Sequence, residues 1–73
     1  MAATDFPELL KALRRRRNLT QEQLAREIGV SFSTVNLWEN GRRHPQPFLA
    51  NKILELALSA GLDPKDFKDG DDQ

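Results

Sequence analysis

The chain contains no cysteine. Disulfides, thiolate-bound metals and cysteine nucleophiles are therefore excluded, and the composition fits a reducing compartment such as the cytoplasm. Long apolar runs are also missing: the best stretch, ILELALSAGL, is interrupted by Glu55 and falls far short of the roughly 20 residues that a membrane-spanning helix needs. The first residues lack the basic-then-apolar order of an export signal, so a soluble cytoplasmic protein with no membrane partner is expected. No segment alternates apolar and polar residues between turn signals, which argues against strands. The single histidine, His44, has no cysteine or paired ligand nearby and is read as a loop or backbone contact, so no metal site is expected. Paired acids in a plausible cleft, a nucleophile with a base and a phosphate-binding glycine loop are all absent, which leaves no basis for an enzyme or a cofactor.

With 73 residues the chain has the size of one domain, and a core of that size supplies only about 3–5 kcal/mol without further help. Its net charge of zero conceals an uneven distribution. Residues 10–44 carry eight basic side chains (Lys11, Arg14, Arg15, Arg16, Arg17, Arg26, Arg42, Arg43) against three acids (Glu22, Glu27, Glu39), a balance of +5. Acids prevail on both sides of that segment. A basic body between acidic ends suits a polyanionic partner, although a solvated charged surface explains the same composition.

What is present is helical spacing, four times over. In DFPE, Asp5 suits a cap, Pro7 the first turn and Glu8 the reciprocal position of a capping box, and Phe6, Leu9, Leu10 and Leu13 then form one apolar face. TQEQ opens a second helix through Thr20 and Gln23, with Leu24, Ala25 and Ile28 inward and Gly29 as the stop. Ser31 caps a third, with Val35 and Trp38 inward and Gly41 as its stop. RRHPQP is a loop, because its two prolines push their predecessors toward extended geometry. A fourth helix follows over about 47–60, with Phe48, Leu49, Ile53, Leu56, Ala57 and Ala60 on one face and Leu54 and Leu58 widening it. DPKDF adds a further turn, with Phe67 folding back onto the core. The polar end, 68–73, is expected to fray, and Asp69, Asp71 and Asp72 lack a calcium-loop frame.

Two short helices joined by a tight turn containing glycine make a helix-turn-helix, whose second helix fits a DNA major groove. A small residue is needed where the helices approach, and Ala25 supplies it; Gly29 sits in the turn, and Leu24, Ile28, Val30, Val35 and Trp38 provide buried contacts. The phase of Trp38 with Val35 places it in the core rather than against a base.

On these residues LTQEQLAREIGVSFSTVNLWENGRRHPQP resembles the lambdoid phage repressor and Cro (XRE-like) helix-turn-helix family over about residues 6–62, most specifically in LTQEQLA and in WENG followed by basic residues and proline. The resemblance implies an all-α bundle of four to five short helices, spanning about 5–67 with the motif at about 21–40. It also implies sequence-specific binding to double-stranded DNA by a repressor-like regulator, usually as a homodimer. By position it implies that Gln21 bonds a phosphate and braces the recognition helix, that Asn40 contacts a phosphate, and that Arg14 and Glu39 form a partly buried ion pair. The fourth helix is longer than the family pattern, in the region where the family usually dimerises; the Leu54, Leu58, Leu62 stripe is the candidate dimer surface.

Base reading falls to Phe32, Ser33, Asn36 and Leu37 on the outer face of the recognition helix, about 32–40. An asparagine amide makes a bidentate contact with adenine, serine reaches a base edge or a phosphate, and apolar Phe32 and Leu37 match the thymine methyl. Arg42 and Arg43 follow immediately, where arginine clamps phosphates and sets affinity rather than sequence. Two other readings stay open. Phe32 folds over the turn as core, or Phe32 and Leu37 dock a protein partner in an interaction module or antitoxin on the same fold.

Overall fold

The computed structural model describes residues 3–69. Four α-helices run in order, α1 (Phe6–Arg17), α2 (Gln21–Ile28), α3 (Phe32–Glu39) and α4 (Pro47–Ser59), followed by a 3-10 turn, Pro64–Asp66. A two-stranded antiparallel ribbon joins the ends, β1 (Ala3–Thr4) pairing with β2 (Lys68–Asp69).

Side chains open most of the helices. The Asp5 carboxylate accepts from Glu8 N, Thr20 and Gln23 close a full capping box, and Ser31 accepts from Thr34 N. α4 has no side-chain cap and relies on Pro47 in its first turn, where the missing N–H costs nothing. α1 ends on Asn18 in the left-handed region (φ 56°), a conformation asparagine tolerates better than most residues.

The core is built from Leu9, Leu10 and Leu13 of α1, Leu24, Ala25 and Ile28 of α2, Val35 and Trp38 of α3, and Ile53 and Ala57 of α4. Phe67 packs against this cluster from the far side of the 3-10 turn, along with Leu19, Val30, Leu54 and Leu62.

Three expectations differ from the structure. First, Lys68 and Asp69 do not fray but pair with Thr4 and Ala3, and residues 70–73 lie outside the described residues. A two-residue strand is too short for side-chain alternation to announce it; backbone hydrogen bonds alone define it. Second, the capping box at Asp5 is only half made. Asp5 N donates to Phe67 O at 2.6 Å, so the Glu8 side chain is released to pair with Lys11 at 3.4 Å.

Third, Phe48 is not on the buried face of α4: it is 78% exposed. At about 100° per residue it lies about 140° around the helix from Ile53, whereas Leu49 lies only about 40° away. Leu58 stands at the same angle in the other direction and is also exposed. The arginine run diverges, as four consecutive residues sweeping a full helical turn must. Arg14 turns inward to Glu39, Arg16 donates to Ala60 O at 2.8 Å, and Arg17 makes a bidentate pair with Glu27.

The Arg16 contact fixes the ends of α1 and α4 together. Gly61 follows α4 with φ +83°, a backbone conformation that L side chains rarely adopt, and a Cβ there would stand 2.9 Å from Arg16 Nη1, the end of a flexible side chain that can move aside by giving up its bond to Ala60 O. Gly61→Ala is therefore strained in its backbone and displaces the Arg16 guanidinium. We expect it to lower stability by roughly 1–3 kcal/mol, measurable by thermal unfolding, with a smaller loss in the Gly61→Ala, Arg16→Ala double variant than the sum of the two single changes.

Candidate nucleic-acid interface

Three residues separate α2 from α3. Gly29 adopts φ 93°, which an L side chain rarely accepts, and the N–H groups of Gly29 and Val30 both donate to Ala25 O, at 2.8 and 3.0 Å. This doubly bonded stop turns the chain sharply, so that Ser31 follows at once as the cap of α3. Buried Leu24, Ala25 and Ile28 hold the first helix against Val35 and Trp38 of the second.

One side of α3 is thereby committed to the core, and helical phase decides what remains. Continuing about 100° per residue, Ser33, Asn36, Leu37 and Asn40 fall within an arc of about 100° opposite Val35 and Trp38. Ser33 and Asn40 are exposed, and Asn36 and Leu37 are half-buried. Phe32 lies about midway between the two sides in phase, and as the first residue of α3 it has little helix beside it and is 50% exposed. Neither Phe32 nor Leu37 joins the apolar cluster. The outward face therefore combines a hydroxyl, two amides and two apolar side chains.

Beneath that face runs a polar chain. Arg14 grips the Glu39 carboxylate with Nε at 2.7 Å and Nη2 at 3.0 Å, linking α1 to the end of α3. Glu39 is only 4% exposed, the one buried charged side chain among the described residues. The hydrogen bond to Glu39 raises the Arg14 guanidinium above its ordinary pKa, against the opposing effect of burial. Gln21 Nε2 also donates to Glu39, at 2.9 Å, and Gln21 Oε1 accepts from Asn36 Nδ2 at 3.2 Å. Asn40 Nδ2 then donates to Asn36 Oδ1 at 3.1 Å and to Asn36 O at 2.9 Å.

Gln21 thus contacts the recognition helix directly, and Asn36, taken from sequence as a free outer residue, is engaged on both atoms of its amide. The sequence reading placed Gln21, Asn36 and Asn40 individually but not in contact. Their i, i+4 spacing on α3 was the available signal for the Asn36–Asn40 pair.

Past Asn40 the chain leaves α3 through backbone bonds from Gly41 N to Trp38 O and from Arg42 N to Leu37 O. Arg42, Arg43 and His44 are all exposed there. Among the described residues Arg42 and Arg43 form no ion pair, and the same holds for exposed Arg15 and Arg26, which sequence reasoning did not single out. No group of side chains that could hold a metal ion occurs among the described residues, and no described helix is long and apolar enough to cross a membrane.

A helix presented in this way, on a glycine-turned partner and with exposed arginines at its exit, defines the helix-turn-helix class. The family model described as "Helix-turn-helix" matches residues 10–57, and the chain belongs to that family, in its XRE-like, Cro and C1 branch. Among curated proteins it is 46% identical over 41 residues to the HTH-type transcriptional activator BcrR of Enterococcus faecalis, covering 56% of this chain and 20% of that one. It is 45% identical over 51 residues to the HTH-type transcriptional repressor RghR of Bacillus subtilis (strain 168), covering 68% and 38%. A third relative, the uncharacterized HTH-type transcriptional regulator MJ0272 of Methanocaldococcus jannaschii, is 45% identical over 47 residues, covering 64% and 71%. The chain spans a fifth of the length of the first relative and less than two fifths of the second. No solved structure matches the chain at comparable significance.

Proposed function

We propose that this chain, acting as one binding domain, is a sequence-specific regulator of transcription that inserts α3 into the major groove of double-stranded DNA. The observation that carries the proposal is the pairing of a polar-and-apolar outer face on α3 with two exposed arginines immediately after it that form no ion pair among the described residues. Ser33 and Asn36 read base edges, Phe32 and Leu37 contact thymine methyls, and Gln21, Asn40, Arg42 and Arg43 hold the phosphates. The family supports a binding protein rather than an enzyme. The same reading makes it a cytoplasmic protein that binds DNA as a homodimer on half-sites about 34 Å apart.

The arginines give a direct test. Each phosphate contact adds about 0.9 to the slope of log affinity against log salt. Arg43→Ala is therefore expected to weaken binding to all duplexes alike and to flatten the slope by about one unit, read by titrating labelled DNA over a salt series. An unchanged slope removes Arg43 from the interface.

Half-exposed Phe32 supports one second reading, in which it docks a protein partner together with Leu37. Binding to a protein that is insensitive to salt, with no affinity for duplex DNA, would favour that reading over the first.

A further inference from the structure

Glu39 does more than neutralise Arg14. It also accepts a hydrogen bond from Gln21, which accepts from Asn36, which accepts from Asn40. A carboxylate only accepts hydrogen bonds, whereas an amide has one accepting and one donating end. Glu39 therefore sets a direction: Gln21 has to turn its NH2 group toward the carboxylate, which leaves its oxygen for Asn36. Asn36 in turn has to give its NH2 group to Gln21 and its oxygen to Asn40. Reversing any one amide would set oxygen against oxygen or NH2 against NH2.

We propose that Glu39 is a positioning residue for base recognition, fixing through Gln21 which way the Asn36 amide faces and hence which base Asn36 accepts. The inference rests on the DNA-reading function proposed above. The Asn36 amide is engaged but not exhausted, since its NH2 group keeps a second hydrogen and its oxygen a second lone pair. One donor and one acceptor are what adenine N7 and N6 require, in one order only. An Asn36 amide free to turn over would lose that order half the time. Glu39, itself almost wholly buried, thus couples the α1–α3 ion pair to sequence preference without reaching DNA.

Two variants test this. Glu39→Gln places a neutral amide against Gln21 that can offer either oxygen or NH2, so the direction is no longer imposed. Gln21→Met cuts the relay while leaving the Arg14–Glu39 pair in place, and so serves if Glu39→Gln fails to fold. Binding sites selected from random duplexes should show a wild-type preference for adenine at one position of each half-site. In both variants that preference should fall at least about fivefold at that position only, beyond the general loss of affinity expected for Gln21→Met. A folded variant with the wild-type adenine preference overturns the proposal.

Side-chain amide NMR signals of the DNA-free protein give an independent readout. Wild type should show one set of Asn36 and Gln21 signals with a protected Asn36 proton, and Glu39→Gln should show two sets or lose the protection. Identical signals in both proteins overturn the relay. A wild type that selects no duplex at all overturns the proposed function instead, and the amide signals still distinguish an ordered relay from none.

Discussion

Replacing Glu39 by alanine is expected to lower stability by about 3–5 kcal/mol, because it leaves the Arg14 guanidinium partly buried without its partner. Glu39 is 4% exposed and takes three hydrogen bonds, two from Arg14 and one from Gln21. A domain of this size has a total stability of roughly 4–11 kcal/mol, so the variant should be partly unfolded at moderate temperature. Glu27→Ala provides the control. The Arg17–Glu27 pair is equally short and bidentate, but each side chain is about a third exposed. Water then compensates for the loss, and about 0.2–1 kcal/mol is expected. Two thermal unfolding curves decide the matter, since 1 kcal/mol moves the midpoint by about 4–8 °C in a domain of this size. Equal shifts for the two variants would contradict the distinction between a buried and a surface pair.

The second large effect belongs to Trp38. It is the largest fully buried side chain, 2% exposed, and it packs with Val35 against residues from the other helices. Trp38→Ala is expected to cost about 3–5 kcal/mol, from the lost transfer of apolar surface and the cavity left behind. Chemical denaturation followed by circular dichroism measures the loss directly. Because Trp38 is the only tryptophan, its fluorescence also reports on its role. A buried indole should emit like an apolar-environment tryptophan, resist an aqueous quencher, and change little when duplex DNA is added. Strong quenching by DNA would mean that the indole stacks on bases, which its place in the core does not allow.

Much of this arrangement was legible because local chemistry and global packing agree. The caps at Asp5, Thr20 and Ser31, the glycine stop at Gly29 and the apolar phases of the four helices are written within a few residues of where they act. The Arg14–Glu39 contact joins positions 25 residues apart; family resemblance suggested it, and the place of Arg14 on the side of Leu10 and Leu13 agreed. What escaped depends on the third dimension alone. Phe48 belongs to an apolar cluster in sequence, but the axis of the buried face runs through Ile53 and Ala57, and Phe48 falls on the other side. The β1–β2 ribbon depends on the two ends of the chain meeting. That four consecutive arginines cannot share one direction was legible, but not where Arg16 and Arg17 go: to the Ala60 carbonyl just past α4 and to a carboxylate on α2.

The candidate interface divides in the same way. Ser33, Arg42 and Arg43 are exposed, as reading outward from Val35 and Trp38 suggests. Asn36 and Gln21 were assigned separate tasks, and the structure places their amides 3.2 Å apart. Amide pairs leave no trace in hydropathy, since both residues are polar at positions that tolerate polarity. Only the carboxylate beneath them shows that their directions are set.

The central claim is that α3 reads duplex DNA, and selection of binding sites from random duplexes tests it most directly. Enrichment of paired half-sites about 34 Å apart is expected, containing A·T pairs where Phe32, Leu37 and Asn36 meet the groove, with the thymine preference lost in Phe32→Ser. Recovery of random sequence, with no motif above background, would contradict it.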